Sequence, residues 1–448
     1  MDRRPRSTPP GATPPRAVPP RAAPLRAAPP AAPELRALPV RLAGKLAILA
    51  DAAKYDASCA SSAAERRDSA NGRGVGSSGG SGICHSYAPD GRCVSLLKVL
   101  LTNFCTYDCA YCVNRVSSNV PRARFAVEEV VELTLAFYKR NYIEGLFLSS
   151  GIIRSPDYTM EQIVEVARRL REEHDFRGYI HLKTIPEADA ELLARAGRYA
   201  DRLSINVELA RATSLAALAP EKDAAGIERS MAAMREKRDE ARDAARSGRE
   251  APAFATAGQS THMIVGADAA PDAELLERSH GLYRDHDLKR VYYSAFSPIP
   301  DASAALPLKP VEAVREHRLY QADWLMRFYG FEVDEIVAGG ESGMLDARLD
   351  PKLAWALKHR ERFPVPVDTA DRETLLRVPG LGTRGVDRVL AARRFGPVRL
   401  ADLGRLCGST ARLRPFVETV DHHPGRLLDG AHLREQLLQK GAQLELFG

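Results

Sequence analysis

The stretch Leu101-Thr-Asn-Phe-Cys105-Thr-Tyr-Asp-Cys109-Ala-Tyr-Cys112-Val-Asn-Arg115 carries three thiols within eight residues, just after an apolar run, Leu96 to Asn103, that reads as a β-strand. The spacing C-x-x-x-C-x-x-C lets one short loop wrap one corner of a metal cluster. Thiolates are the usual ligands of iron–sulfur clusters, and a 4Fe-4S cluster needs four protein ligands for full coverage, so three leave one iron open. An open iron can chelate a small molecule and pass it an electron, which is a catalytic arrangement. Structural zinc is the competing reading. Zinc takes four ligands, usually as two separated Cys/His pairs, so this loop would have to borrow Cys93 or His85 from across the strand.

Downstream of the thiols the pattern is regular. Strand-like runs at 96–103, 143–150, 179–185, 203–208, 261–267 and 290–296 each precede a helix-period segment. The helices are predicted over 127–141, 160–173, 190–196, 227–246, 273–283 and 311–328. Such alternation predicts a parallel sheet with right-handed crossovers, either doubly wound or closed toward a barrel. Both architectures place ligands at the carboxyl ends of the strands, where the cysteine loop lies.

The chain of 448 residues predicts two folded domains plus flexible segments. Its 64 basic and 58 acidic residues, net +6, permit a nucleic-acid partner without requiring one. No apolar run reaches the roughly 20 residues that cross a bilayer, and no signal core follows the basic start, so a soluble cytoplasmic protein is expected. Seven cysteines, an odd number, argue for metal ligands in a reducing compartment over a disulfide framework. Cys407 stands alone and reads as a buried thiol. Residues 1–44 are rich in Pro, Ala and Arg and predict a disordered tail. Residues 45–94 read as a cysteine-containing cap with a Gly/Ser linker at 69–82, and Asp90-Gly91 as its turn. The barrel or sheet is assigned to 95–335, a connector to 336–365, a helical module to 366–425 and a tail to 426–448.

With Tyr111 before its last cysteine, the motif resembles the signature of the radical S-adenosylmethionine (SAM) superfamily. The resemblance implies a partial (β/α)6 barrel, with which the six strand–helix pairs agree. It implies a 4Fe-4S cluster on Cys105, Cys109 and Cys112, with the methionine moiety of SAM on the fourth iron. Reductive cleavage would then yield a 5'-deoxyadenosyl radical, and Tyr111 would lie beside the adenine. Where such enzymes show a Gly-Gly-Glu-like stretch gripping the methionine ammonium, this chain has Ser149-Ser150-Gly151 and no carboxylate. Asn206 and Glu208 stand where polar residues reach the ribose or substrate, against the alternative of two solvated residues at a strand end. Met263-Ile-Val-Gly266 resembles the segment that packs on adenine. Lys183, Tyr292, Tyr293 and Ser294 are candidate substrate contacts, or ordinary barrel packing.

Cys59, Cys84 and Cys93, with His85, could form a second metal site or a structural cap over the barrel mouth. In the C-terminal part, Arg372 to Arg394 holds two apolar-periodic helices around Pro379-Gly380-Leu381-Gly382. Gly380 and Gly382 permit a tight turn that bares amide groups at a helix start, a geometry suited to phosphate, with Arg384 and Arg388 adding charge. This resembles the helix-hairpin-helix motif of DNA repair proteins; a plain hairpin packed on the barrel is the alternative. Taken together, residues 45–400 resemble the DNA modification or repair radical SAM proteins linked to a uracil-DNA glycosylase. That resemblance implies DNA, a glycosylase-like protein and an electron donor such as flavodoxin or ferredoxin as partners. The competing functions are a radical SAM enzyme acting on RNA, and a non-enzymatic, metal-stabilised nucleic-acid adaptor for a repair glycosylase.

Overall fold

A computed structural model of the protein describes residues 40–53, 83–87, 93–248, 252–299, 303–408, 410–425, 428, 430 and 432–438. The chain opens with α1 (Val40–Ala53), β1 (Ile83–Tyr87) and β2 (Cys93–Leu100). It continues through α2 (Val127–Lys139), β3 (Gly145–Ser149), α3 (Pro156–Glu172), β4 (Tyr179–Lys183), α4 (Ala190–Tyr199) and β5 (Arg202–Ser204). Then follow α5 (Ala212–Leu218), α6 (Ala224–Arg246), β6 (Gln259–Val265), α7 (Asp272–His286), β7 (Arg290–Ala295) and α8 (Ala313–Tyr329). All six expected strand–helix pairs are present. The structure adds α5 and an antiparallel edge strand, β1, which pairs Cys84 with Leu96 and Tyr87 with Cys93.

Strands β1 to β7 lie side by side in chain order, with β2 to β7 parallel. A doubly wound sheet needs a point where strand order reverses, and there is none. With one direction of travel, right-handed crossovers put every helix on the same face. The helices accordingly pack in sequence, α2 on α3, α3 on α4, α4 on α6, α6 on α7 and α7 on α8. The sheet curls into a half-barrel whose edges are β1 and β7.

Side chains alternate across each strand, and the alternation separates chemistry from packing. Leu146, Leu148, Ile180, Leu182, Leu203 and Val291 are completely buried under the helices. Phe147, His181, Lys183, Ser204, His262 and Tyr292 instead line a small cleft in the lumen. Helix α3 shows how the outer layer is specified. Ser155 caps it by accepting from the Tyr158 amide at 3.1 Å, Pro156 occupies the first turn, and Met160, Ile163, Val164, Ala167 and Leu170 make its apolar stripe. Each large member of such a stripe contributes about 1.5–3 kcal/mol by burial.

Helix α1 starts at Val40, ahead of the boundary expected near residue 44, because Leu42, Leu46 and Leu49 pack onto the sheet at β2. The region expected as a connector is likewise packed. It contains α9 (Val333–Val337), α10 (Pro351–Lys358) and β8 (Val365–Pro366). Beyond it lie α11 (Arg372–Arg377), α12 (Thr383–Ala392), α13 (Leu400–Cys407) and β9 (Val417–Glu418), which pairs with β8. A chain of aromatic rings, Phe331 to Trp355 to Phe363 to Phe416, runs from the segment after α8 into this module at spacings of 5.4, 6.2 and 5.1 Å. Half-barrel and C-terminal module therefore share one apolar core. No helix among the described residues is long and apolar enough to cross a membrane.

Candidate active site

The cysteine loop leaves β2 and is fastened from several directions. Asn103 closes it by donating to the Pro121 carbonyl and accepting from the Ala123 amide, each at 2.8 Å. Arg122 gathers four carbonyls with one guanidinium, those of Asn103, Asn114 (2.8 Å), Arg115 (2.6 Å) and Ser118 (2.9 Å). Asp108 accepts from the Ser117 hydroxyl at 2.6 Å. The loop also docks on its neighbours: the Ala110 amide donates to the Leu218 carbonyl at 2.6 Å and the Thr106 amide to the Ile152 carbonyl at 2.8 Å. Gly151 completes this seam, for a Cβ there would collide with the Phe104 carbonyl and crowd Cys105.

Cys109 is buried and Cys105 and Cys112 are partly so. Backbone amides of Ile152 and Asn114 each point at a sulfur, Cys105 and Cys112 respectively, from 3.4 Å. Burial pushes the Cys109 thiol up to about 12 and the Cys112 thiol to about 11. Free, those two stay protonated at neutral pH; a bound metal draws the proton off and the amides then donate to thiolates. That donor set suits an iron–sulfur cluster. The borrowed zinc ligands do not reach it: Cys93 begins β2, roughly 23 Å from its far end at about 3.3 Å per residue, and His85 pairs with Ser95 at the same end. Among the described residues no three His, Cys, Asp or Glu side chains converge on one ion. Cys59 and the side chains of His85 and Cys93 lie outside the described residues, as do 54–82 and the Asp90-Gly91 turn. Cys84 is buried against Val94, Leu96 and Phe147.

Beside the loop, Asn206 and Glu208 are both buried, so the solvated strand-end alternative falls. Glu208 has a backbone φ of +62°, rare for a side-chain-bearing residue, and bridges to Met263 of β6. Its carboxylate meets the Lys222 ammonium at 2.6 Å, and Asn206 sits 3.2 Å from His262 Nδ1. Burial would raise Glu208, but Lys222, with Lys183 and His262, brings it down to about 2. Tyr111 is buried, its hydroxyl has no hydrogen-bond partner among the described residues, and it lies next to the charges of Lys222 and Glu208. Nothing in the local sequence singled out Lys222, whose partner Glu208 stands 14 residues away, or Arg122, whose four carbonyls stand 4 to 19 residues away in the same loop.

Three expectations are corrected. Tyr293 faces the helices, its hydroxyl 2.7 Å from Ser279, and is no lumen contact. Met263 and Val265 are likewise fully buried on the helix side, alternating with His262, so the segment 263–266 offers only Ile264 and Gly266 to the lumen face. Cys407 is half-buried against Gly385 and not deep in the core. Ser149 is buried, and the Ser150 hydroxyl donates to the Gly151 carbonyl at 2.6 Å.

In the C-terminal module, α11 and α12 flank the turn as expected, with Gly380 at φ +87° and exposed. Arg384 is exposed, while Arg388 donates to the Leu406 carbonyl at 3.0 Å. The turn also leans on its neighbours: Gly382 lies close to the Tyr329 hydroxyl, and buried Lys352 donates to the Leu381 carbonyl at 2.6 Å.

A half-barrel of parallel strands with a three-cysteine loop at its carboxyl mouth defines a class of enzyme domain, and the comparison with known families agrees. Residues 99–243 match the model of the radical SAM superfamily. Members of that superfamily use a 4Fe-4S cluster and SAM. Among solved structures, HydG, a maturase of [FeFe]-hydrogenase, is 14% identical over 51% of this chain and 48% of its own, with a TM-score of 0.37. A radical SAM methyltransferase from Sphaerobacter thermophilus is 18% identical over 53% of this chain and 65% of its own, TM-score 0.36. Methylornithine synthase (PylB) is 16% identical over 68% and 84%, TM-score 0.34. The match spans about half the length of the maturase. No curated protein matches the chain.

Proposed function

We propose that the protein is a radical SAM enzyme that modifies or repairs DNA. The observation that carries the enzymatic part is the three-thiol loop, Cys105, Cys109 and Cys112, fastened at the carboxyl mouth of a half-barrel with a polar lumen. In this reading those cysteines hold a 4Fe-4S cluster, and Tyr111, Ser149, Ser150, Gly151, Asn206 and Glu208 border the cofactor. When bound, cluster and SAM supply a one-electron cleavage and a radical that can abstract a hydrogen atom. The chain's own part is to hold and orient. Gly151 lets the strand-end backbone press against the loop, Glu208 and Lys222 keep a fixed charge pair beside Tyr111, and His181, Lys183 and His262 present polar atoms to whatever enters the lumen.

The DNA part is supported by the turn between α11 and α12, with exposed Gly380, half-exposed Gly382 and exposed Arg384, and with Arg388 beside them. Contacts of that kind grip phosphates in a salt-sensitive, sequence-independent way. A base inside a duplex cannot reach a barrel mouth, so a flipped or single-stranded nucleotide is the expected substrate. An electron donor such as flavodoxin or ferredoxin and a uracil-DNA glycosylase-like protein complete the proposal.

The test is anaerobic reconstitution with iron and sulfide, reduction, and measurement of 5'-deoxyadenosine release from SAM with and without DNA, beside a Cys105, Cys109, Cys112→Ala variant. Release that needs the cysteines and rises with DNA is expected. Stimulation by RNA alone would move the substrate to RNA, and no release from iron-loaded, reduced protein would favour the adaptor.

A further inference from the structure

The outer face of α8 changes character along its length. His317, Gln321, Trp324 and Phe328 recur at helical spacing and share that face. Its first part is polar, with His317 Nε2 3.0 Å from the Gln321 side-chain amide. Its last turns instead carry Trp324 and Phe328, two exposed rings with centroids 4.5 Å apart and planes tilted by 49°. Single exposed apolar residues are ordinary on a protein surface, whereas adjoining ones mark a contact site.

The pair sits against the turn between α11 and α12. Tyr329 follows Phe328 at the end of α8, and its hydroxyl has both Trp324 and Thr383 as neighbours. A Cβ on Gly382 would stand 3.5 Å from the same hydroxyl. Cations border the rings. The Arg327 guanidinium lies 4.8 Å from the Phe328 ring centroid, the Lys352 ammonium 4.7 Å from that of Tyr329, and Arg384 is exposed on the first turn of α12. Rings, glycine turn and positive charge therefore form one surface.

An unpaired nucleotide is the ligand that such a surface fits. Its phosphate meets the turn and the cations, and its base offers a flat π-face to an aromatic ring, a contact that tolerates any base. A duplex keeps its bases stacked on one another and offers the turn only its phosphates. A protein partner fits less well, because a stable interface takes about 800 Å² per side. Here the apolar part is two rings, bordered by His317, Gln321 and Arg327. We infer that Trp324, flanked by Phe328, is a stacking platform for an unpaired base of the DNA strand whose phosphate lies at the turn. The inference rests on the DNA reading proposed above and makes single-stranded DNA the form that is gripped. Phe395 is more exposed than either ring, but it follows α12, whose 10 residues carry it roughly 15 Å from the turn at about 1.5 Å each.

Full-length reconstituted protein is titrated with a labelled oligothymidylate, with a strand of the same length that lacks its bases, and with a duplex, by fluorescence anisotropy at several salt concentrations. Wild type is compared with Trp324→Ala, Trp324→Phe and Phe395→Ala, with thermal unfolding of each to confirm the fold. Wild type should bind the oligothymidylate more tightly than the abasic strand. Trp324→Ala should lose about 5- to 100-fold of its affinity for the oligothymidylate, the range for one stacked base, with the salt slope and the affinities for abasic strand and duplex unchanged. Trp324→Phe should keep most of the affinity and Phe395→Ala all of it. An equal loss on the abasic strand, a changed salt slope, or unaltered binding by folded Trp324→Ala would overturn the inference, the last result leaving the rings to a protein partner. Wild type that binds none of the three would overturn the DNA reading and the inference with it.

Discussion

The mouth of the half-barrel and the C-terminal turn both looked like sites, but they are built in opposite ways. At the mouth, Arg122 spends its whole guanidinium on four carbonyls of the cysteine loop, and Gly151 leaves no room for a side chain. At the turn, Arg384 points to solvent and Arg388 makes one bond to the Leu406 carbonyl. The first region is rigid because its polar atoms are consumed internally. The second keeps charge available, although Lys352 already occupies the Leu381 carbonyl. A motif whose partners lie within its own loop can be read locally, whereas one whose partners lie on another element cannot.

The contrast can be broken experimentally. Replacing Cys105, Cys109 or Cys112 by Ala should reduce cluster iron to background after reconstitution, by iron analysis, whereas Cys407→Ala should leave it unchanged. Arg122→Met should lower unfolding free energy by about 2–4 kcal/mol in chemical denaturation, since several buried carbonyls lose a charged donor. Arg388→Met, which removes one exposed bond, should cost about 1 kcal/mol or less. If the two arginines proved equal, the mouth would not be the more rigid region.

Lys352, beneath the turn, sharpens the comparison through pH. Burial lowers its pKa from 10.5 to about 7. Between those values the unfolded chain holds a proton that the folded chain lacks, so stability rises with pH across that window, by up to about 1.4 kcal/mol per unit. Below about pH 7 both states are protonated and the burial penalty is felt in full. Lys352→Met should flatten this slope in denaturation midpoints measured from pH 7 to 10; an unchanged slope would place the titration elsewhere. The smallest effect expected is that of Arg384→Ala on DNA affinity. It should weaken binding evenly across sequences and reduce the salt slope by about 1, read from fluorescence anisotropy at several ionic strengths.

Much of this was legible beforehand. Strand positions showed because apolar residues recur in short runs, and the cysteine spacing showed because all three thiols share one loop. Tyr293 misled because a tyrosine at a strand end reads the same whether it faces lumen or helix, and only the pleat, with Ser279 behind it, sets the side. Arg122 and Lys222 carried no local mark. Arg122 matters because its own loop folds back and brings four carbonyls to one guanidinium, and Lys222 because the chain after β5 returns it to the Glu208 carboxylate.

By itself, the sequence determined the βα alternation, the identity and order of the thiols and the missing acid after β3, because these depend on period and on neighbours in the chain. Only the tertiary structure decided between doubly wound sheet and half-barrel, since that choice rests on strand order, which crossovers set and composition does not. It alone placed Cys93 at the end of β2 away from the cysteine loop, and put Glu208 on Lys222. Burial and pairing are properties of residues far apart in the chain, and they exist only once the strands have curled together.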